Sequence, residues 1–381
     1  MSERALQFAL VAGEPSGDLL AGLLLQGLLK RWPLAKALGI GGPRMQAQGF
    51  ESWWPYDKLA VRGYVEVLRH YREIIGIRAQ LQQRLLDDRP DVFIGVDAPD
   101  FNLDLERNLK AQGIPTVHFV CPSIWAWRAE RIVKIRQSVD HVLCIFPFEQ
   151  ALLASHGIEA TYVGHPLAQA IPMQVDKVEA KRALGLDPDG PVVALLPGSR
   201  VSELAYLAER FVQAARRMRQ SEPQLQFVLP AMPALQARVM QIVQAQGMKE
   251  HIRVLSGQSH AALAACDVTL IASGTATLEA ALFKKPMVIA YNMNWLSWQL
   301  MKRQKLQPWV GLPNILCQDF VVPELLQDEA TPERLAQSVL AWLNSPAKIN
   351  HLEDRFTQLH QTLMRDTPEL AAHALQKILS R

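Results

Sequence analysis

The apolar run Val192 to Leu196 ends at the pair Pro197-Gly198, and this junction is the strongest constraint on the fold. A short, unbroken apolar run bounded by a turn is typical of a strand buried in a parallel sheet. A helical pattern follows, with Ser199 or Ser202 as its expected N-cap. A strand, a glycine turn and a helix start together direct backbone N–H groups and a helix dipole at an anion.

The guanidinium of Arg200 lies in the same turn and has a planar geometry that suits phosphate. Gly198, Ser199 and Arg200 are therefore a candidate phosphate site. An ordinary loop with a solvated arginine is the competing interpretation, because short glycine loops are common.

The same strand, turn and helix pattern recurs on both sides of a polar break near residues 164–172. Its clearest other examples begin with the apolar runs Leu6–Val11, Val92–Val96 and Val268–Ala272. A chain of 381 residues, 49% of them hydrophobic, can fill two cores. The sequence predicts an α/β protein with two doubly wound, Rossmann-like domains that face a cleft, with the domain boundary near residues 170 and 171.

Two aspartates follow strands of the first half. Asp18 ends the turn G-E-P-S-G-D, which is not G-x-G-x-x-G and whose two carboxylates would repel a pyrophosphate. That turn favours a ligand with hydroxyl groups. Asp97 follows Val92–Val96, at the position where open α/β sheets bind ligands. The alternatives are a helix-favouring anion at Asp18 and a cap or turn residue at Asp97.

The second half contains another turn of small residues, Ser273-Gly274-Thr275, which allows a ligand to approach the backbone closely. Glu279, one helical turn further on, could accept hydrogen bonds from ribose hydroxyls. Asn314 lies in a predicted loop at residues 312–316 and could hydrogen-bond a ligand. A solvated surface position for Glu279 and a turn-shaping role for Asn314 are the competing interpretations.

A predicted helix near residues 60–85 carries two apolar stripes, although a helix that faces one core needs only one. Arginines lie between the stripes, and such a surface suits the interface of an anionic bilayer. A helix buried on both sides, or a dimer contact, is the alternative. The candidate membrane or acceptor residues are those of the first stripe: Val61, Tyr64, Val65, Leu68, Tyr71 and Ile75.

Composition excludes several classes of protein. A formal charge of +3 is too small to indicate a nucleic-acid-binding surface. The four scattered cysteines suggest neither a disulfide framework nor a zinc site. The first apolar run leads directly into a glycine turn, so a strand is predicted there and not a signal peptide. We expect a cytoplasmic protein that is soluble or peripheral on a membrane.

Several motifs occur in order over nearly the whole chain and together resemble the lipid-A-disaccharide synthase family of Gram-negative bacteria. They are L-V-A-G-E-P-S-G-D, G-V-D-A-P-D-F-N, P-S-I-W-A-W-R, L-P-G-S-R-x-x-E, A-S-G-T-A-T-L-E and L-P-N-I-L. The resemblance implies a GT-B fold with an acceptor domain at residues 1–170 and a donor domain at residues 171–349. It also implies that a C-terminal helix near residues 350–381 packs back on the first domain.

The resemblance implies an inverting transfer of 2,3-diacylglucosamine from UDP-2,3-diacylglucosamine to the 6-hydroxyl of 2,3-diacylglucosamine 1-phosphate (lipid X). No metal, no other cofactor and no nucleic acid is expected. A peripheral location on the inner face of the inner membrane is implied, and a homodimer that exchanges C-terminal segments is one expected state.

By the same resemblance, Asp97 is the favoured general base, and Asp18 is the alternative. Gly198, Ser199 and Arg200 would stabilise the leaving diphosphate, Glu279 would hold ribose, and Asn314 would contact the nucleotide. Three other classes are weighed against this function. They are a different GT-B enzyme, a nicotinamide oxidoreductase, which lacks its G-x-G-x-x-G motif here, and a non-catalytic nucleotide-binding protein.

Overall fold

A computed structural model describes residues 5–59 and 64–380 of the chain. The chain divides into two compact units. The first runs up to Ala170 and resumes at Thr362, and the second spans Ile171–Gln361. Each unit is built on one sheet, and every strand pair in both sheets is parallel.

The strands of both units are short, and the apolar runs that precede Asp18, Asp97, Gly198 and Ser273 are buried, as their sequences predict. In chain order they are β1 (Gln7–Ala12), β2 (Lys36–Ile40), β3 (Glu51–Trp54), β4 (Val92–Val96), β5 (Thr116–Phe119), β6 (His141–Cys144), β7 (Ala160–Tyr162), β8 (Val192–Leu196), β9 (Gln226–Ala231), β10 (Ile252–Ser256), β11 (Val268–Ala272), β12 (Met287–Tyr291) and β13 (Glu324–Leu326).

Helices follow nearly every strand. They are α1 (Pro15–Arg31), α2 (Pro43–Gln46), α3 (Tyr64–Asp88), α4 (Pro99–Ala111), α5 (Arg131–Ser138), α6 (Pro147–Ala154), α7 (Pro166–Ala170), α8 (Lys177–Ala183), α9 (Val201–Ser221), α10 (Gln236–Ala245), α11 (Ser259–Ala265), α12 (Thr275–Leu282), α13 (Trp295–Gln304), α14 (Leu312–Cys317), α15 (Pro332–Leu343), α16 (Pro346–Leu363) and α17 (Thr367–Leu379).

The two sheets share one topology. The first sheet has the order β3-β2-β1-β4-β5-β6-β7, and the second has the order β10-β9-β8-β11-β12-β13. In each sheet the chain begins in the middle, builds outward to one side, and then returns to the other side of its first strand. This is the doubly wound order of Rossmann-like sheets, with a switch point between β1 and β4 and a second one between β8 and β11. The predicted fold class is confirmed.

Each unit has its own hydrophobic core. In the first unit, one cluster packs α3 and α4 against β1, β2 and β4, and a second packs α4, α5 and α6 near β6. In the second unit, the inner face of α9 packs with α10 and α15 on the strands around β8. Phe93 and Phe211 are completely buried in the respective cores. Burial of such side chains, worth about 1.5–3 kcal/mol each, fixes the helices on which the candidate site residues lie.

Two local predictions are wrong. Residues 312–316 lie within α14 and are not a loop. The predicted long helix at 350–379 is two helices, α16 and α17, and α17 begins after the N-cap Asp366.

Candidate active site

The candidate residues fall at the two switch points. Asp18 follows β1 and Asp97 follows β4, which are neighbours in the first sheet. The turn Gly198–Arg200 follows β8, and the turn Ser273–Thr275 follows β11, its neighbour in the second sheet. Open α/β sheets bind ligands outside the carboxyl ends of strands at such points, because there the flanking loops diverge and leave a crevice.

Asp97 is half-buried on a constrained backbone. Its φ is +50° and that of Ala98 is +43°, a left-handed conformation that residues other than glycine adopt rarely. Its N–H donates to the Phe119 carbonyl at 2.9 Å, and its own carbonyl accepts from the Asn102 amide at 2.8 Å. Within the part of the chain that the structure describes, the Asp97 carboxylate itself accepts no hydrogen bond. The backbone is therefore held while the carboxylate stays available.

Backbone strain is concentrated at this edge of the first sheet. Val120, directly after β5, has a φ of +79°, which is an outlier for a β-branched side chain, and Arg128 in the following loop has a φ of +53°. Strained residues persist only where the surrounding structure holds them, and they cluster at functional sites. The edge that carries Asp97 thus has a second feature typical of an active site.

Asp18 is in a different situation, since its side chain is buried and fully engaged. Its carboxylate accepts hydrogen bonds from the backbone N–H groups of Gly42 at 2.8 Å, Arg44 at 3.0 Å and Met45 at 3.2 Å. These are the N–H groups at the start of α2, which otherwise have no partner within that helix. The geometry gives Asp18 a cap-like structural task.

The turn after β8 is occupied by a side chain from its own helix. The Glu203 carboxylate accepts hydrogen bonds from the N–H of Ser199 at 2.9 Å and of Arg200 at 3.3 Å. Its other oxygen lies 2.7 Å from the Arg200 guanidinium. The expected N-cap at Ser199 or Ser202 is therefore wrong, because Arg200 is the N-cap residue and the capping carboxylate comes from Glu203. The predicted anion-binding groups do converge, and the anion that they bind in the structure is the Glu203 carboxylate of the same chain.

The turn after β11 requires its glycine. Gly274 has φ +152° and ψ −168°, a conformation essentially limited to glycine. Gly274 and Thr275 are exposed, and the Ser273 hydroxyl donates to the Val310 carbonyl at 3.1 Å. The Glu279 side chain is only 15% exposed, and its carboxylate lies 3.5 Å from Nε2 of His260. A solvated surface position, the alternative for Glu279, does not describe this environment.

Asn314 is completely buried at the start of α14. Its amide nitrogen donates to the Val322 carbonyl and to the Glu324 carboxylate, both at 2.9 Å, and its oxygen accepts from the Val322 N–H at 3.0 Å. Glu324 in turn accepts from the N–H of Gly311 at 2.8 Å. Asn314 thus organises the segment that Ser273 contacts, and its contact with a nucleotide stays a prediction.

Sequence reasoning missed three residues near these turns: Glu203, His260 and Tyr291. Tyr291 ends β12, next to β11; burial, followed by the negative charge of Glu203, raises the pKa of its hydroxyl, and Arg200 opposes this shift. Tyr291 could have been found by the rule that identified Asp97, because it too lies at the carboxyl end of a buried parallel strand. Nothing local in the sequence signals the contact between His260 and Glu279.

The candidate membrane residues lie largely outside the described part. Val61 and the side chains of Tyr64, Val65, Leu68 and Tyr71 are outside it, and Ile75 is half-buried. Of the second stripe on α3, Ile77 and Leu81 are buried in the core of the first unit. No helix within the described residues combines the length and apolar character that crossing a bilayer requires.

Comparison with solved structures shows which fold the chain has. A UDP-GlcNAc 2-epimerase from Neisseria meningitidis, solved with UDP-GlcNAc bound, aligns with a TM-score of 0.64 over 99% of this chain and 100% of its own at 12% identity. The calicheamicin glycosyltransferase CalG4 aligns with a TM-score of 0.64 over 99% of both chains at 15% identity. The fold is the GT-B fold shared by glycosyltransferases and such epimerases.

Comparison with sequences defines the family. A family model described as lipid-A-disaccharide synthetase matches residues 8–375. The lipid-A-disaccharide synthase of Albidiferax ferrireducens is 66% identical over 98% of this chain and 97% of its own length. That of Verminephrobacter eiseniae is 60% identical over 98% of each chain. The chain belongs to the lipid-A-disaccharide synthase family, which makes it a glycosyltransferase of lipid A biosynthesis.

Proposed function

We propose that the chain transfers 2,3-diacylglucosamine from UDP-2,3-diacylglucosamine to the 6-hydroxyl of 2,3-diacylglucosamine 1-phosphate (lipid X). The products are UDP and a β-1,6-linked disaccharide 1-phosphate, with inversion at the anomeric carbon. The observation that carries the mechanism is the Asp97 carboxylate, half-buried at a switch point on a strained backbone.

Asp97 acts as the general base in this proposal. Its carboxylate takes the proton of the acceptor 6-hydroxyl as that oxygen attacks the anomeric carbon from the face opposite UDP. The bond between the anomeric carbon and the diphosphate oxygen breaks, and UDP leaves with the electron pair. The engagement of Asp18 by three backbone N–H groups supports the choice of Asp97, because a carboxylate committed to a helix start is poorly placed to receive a proton.

The second unit holds the donor in this proposal. The N–H groups of Ser199 and Arg200, together with the Arg200 guanidinium, stabilise the negative charge that grows on the departing diphosphate. The open space at Gly274 lets the phosphates approach the backbone. Glu279 accepts from the ribose hydroxyls, and Asn314 contacts the nucleotide end or positions the segment that does. The positive charge of Arg200 supplies the stabilisation that a divalent cation gives in other transferases.

The first stripe of α3 contacts the membrane in this proposal. Ile77 and Leu81 of the second stripe are already used for packing in the core, which supports the first stripe as the candidate for contact with the membrane. Both substrates carry acyl chains, so an apolar, arginine-rich surface beside the acceptor site would let the enzyme take lipid directly from the inner face of the inner membrane.

One assay tests the reaction. Purified protein is incubated with UDP-2,3-diacylglucosamine and lipid X, the product mass is measured, and the configuration of the new linkage is determined by NMR. We expect the disaccharide 1-phosphate with a β linkage, and no product when lipid X is replaced by an unacylated sugar phosphate. Epimerised donor, or UDP binding without any product, would contradict the proposal.

A surface variant tests the membrane contact. Replacing Val65, Leu68, Tyr71 and Ile75 with serine removes apolar area from one stripe of α3, so we expect co-sedimentation with anionic vesicles to fall several-fold. The matched control is Ile77→Ser on the core-facing stripe, which should lower the melting temperature instead. Unchanged co-sedimentation of the fourfold variant would contradict the membrane assignment.

A further inference from the structure

The Glu203 carboxylate lies where the proposed function puts a diphosphate. Both backbone donors of the β8 turn and the guanidinium of Arg200 point at it, at distances of 2.7–3.3 Å. A carboxylate is an anion with hydrogen-bonding geometry similar to that of phosphate oxygens, and both are favoured at the positive end of a helix. In the structure, the side chain therefore stands in for an anionic ligand.

A second glutamate in the chain shows what a permanent cap of this kind looks like. Glu149, in the first turn of α6, accepts from the N–H groups of Ile145 at 3.2 Å and Phe146 at 3.0 Å, and from the Trp125 indole at 2.9 Å. It is completely buried and has no arginine partner among the described residues. Glu149 thus serves the fold, in a space that no ligand can enter.

Glu203 differs from Glu149 in both respects. Its side chain is 25% exposed and that of its partner Arg200 is 41% exposed, so both can rotate into solvent. Ion pairs that stay in contact with solvent contribute only about 0–1 kcal/mol to stability. Breaking the pair therefore costs little, whereas a diphosphate carries more negative charge than one carboxylate and would gain more from the same donors.

The turn also contains the room that such an exchange needs. A Cβ at Gly198 would lie 2.4 Å from the Glu203 carboxylate oxygen and 2.5 Å from its Cβ, so the absence of a side chain there makes the space in which the carboxylate lies. Gly198 has a φ of +118°, which a larger residue rarely adopts. Phosphate oxygens could occupy the same space once the carboxylate has rotated away.

We propose that Glu203 is a displaceable internal anion that sets the affinity of the site for the nucleotide diphosphate. In the empty site it holds Arg200 and the two N–H groups in their binding arrangement. When the donor binds, its diphosphate takes these donors and Glu203 rotates out. When UDP must leave, the returning carboxylate competes with it. The proposal rests on the proposed function, because it assumes that the diphosphate binds at this turn.

The test compares UDP with uridine, which lacks the phosphates, by isothermal titration against wild type and Glu203→Gln. The amide keeps a hydrogen-bond acceptor for the helix start but loses the charge that competes with phosphate. We expect the Kd of UDP to fall about tenfold, as expected when one close repulsive charge is removed, and the Kd of uridine to stay unchanged. Glu209→Gln, an exposed position on the same helix, is the control for losing one negative charge and should change neither value.

Each other outcome overturns the inference. If wild type binds UDP and Glu203→Gln binds it equally or more weakly, at an unchanged melting temperature, Glu203 is a fixed cap and the inference alone fails. An equal gain for uridine would also overturn it, because the effect would not involve phosphate. If wild type does not bind UDP, the proposed function fails and the inference fails with it.

Discussion

The turns after β4 and β8 each lie beside the switch point of their own sheet, and the two sheets share one topology, yet the two turns present opposite chemistry. After β4, the strained backbone at Asp97 is anchored by Phe119 and Asn102, while the carboxylate has no hydrogen-bond partner among the described residues. After β8, the backbone N–H groups and Arg200 converge, and Glu203 neutralises them. One turn offers an acceptor of protons, and the other offers donors for an anion.

The difference shows how one architecture supports two tasks. A parallel sheet with a switch point supplies a position, and the first residues after the strand decide what that position does. An acidic side chain on a constrained backbone can serve as a base, and a glycine turn that opens a helix can hold phosphate. If this division is right, substitutions should impair the two turns separately.

The largest effect is expected at the first turn. Asp97→Asn keeps the shape of the side chain but removes its ability to take a proton, so we expect kcat to fall by about 10³-fold, within the usual range for a lost general base. The Kd of UDP should stay within about twofold of wild type. The control is Asp100→Asn in the same helix start, whose side chain is 82% exposed and which should retain most activity. Near-normal turnover of Asp97→Asn would contradict the assignment.

A smaller loss is expected at the second turn. Arg200→Ala removes a charge from the proposed diphosphate site, so we expect kcat/KM for the donor to fall about 100-fold and UDP binding to weaken, with uridine binding unchanged. Arg200→Lys should recover only part of the loss, because an ammonium group cannot reproduce the planar fork. Arg216→Ala, an exposed arginine on the same helix, serves as the control. If the binding of uridine weakens as much as the binding of UDP, Arg200 does not act on the diphosphate, and the assignment is contradicted.

Substitution of the two aspartates of the first unit, Asp18 and Asp97, should affect the stability of the protein differently. Asp18→Asn replaces a carboxylate that accepts three backbone hydrogen bonds with an uncharged amide that has a single acceptor oxygen. We therefore expect the free energy of unfolding to fall by about 2–3 kcal/mol. Asp97→Asn should leave it nearly unchanged. Urea unfolding measures both variants. If Asp18→Asn keeps full stability and loses turnover, then Asp18 is the base.

The smallest effect is a pH dependence of stability that comes from Glu149. Burial raises the pKa of this carboxyl to about 8 from an ordinary value of 4.5, although hydrogen bonds from Phe146, Trp125 and Ile145 oppose the shift. Because the folded state holds this proton more tightly, the contribution of Glu149 to the free energy of unfolding is greatest below about pH 4.5 and declines as pH rises toward 8. Urea unfolding at several pH values between these two gives the free energy of unfolding as a function of pH, and this dependence should be flatter for Glu149→Gln than for wild type. Identical slopes would contradict the shift.

The sequence predicted the parts of this architecture that depend on local patterns. Unbroken apolar runs such as Val92–Val96 identified the buried strands, and the residues that follow them identified the switch points. By contrast, the residues of α14 were predicted to be a loop, because Pro313 and Asn314 are typical turn formers that also begin helices.

The missing parts depend on contacts over long separations or on side-chain conformation. Asp18 is committed to α2, which lies more than twenty residues away in sequence, and no local pattern shows this contact. The motif L-P-G-S-R-x-x-E includes Glu203, but only the structure shows that its carboxylate folds back onto Ser199. The sequence therefore located the turns, and the three-dimensional structure shows which of their polar groups already have hydrogen-bond partners within the protein.

The most direct test of the division between the two turns is a crystal structure with UDP bound. We expect the diphosphate to accept hydrogen bonds from the N–H groups of Ser199 and Arg200, with the Glu203 carboxylate rotated away and Asp97 free of the nucleotide. A diphosphate bound at the turn after β1 or β4 in the first unit would contradict it.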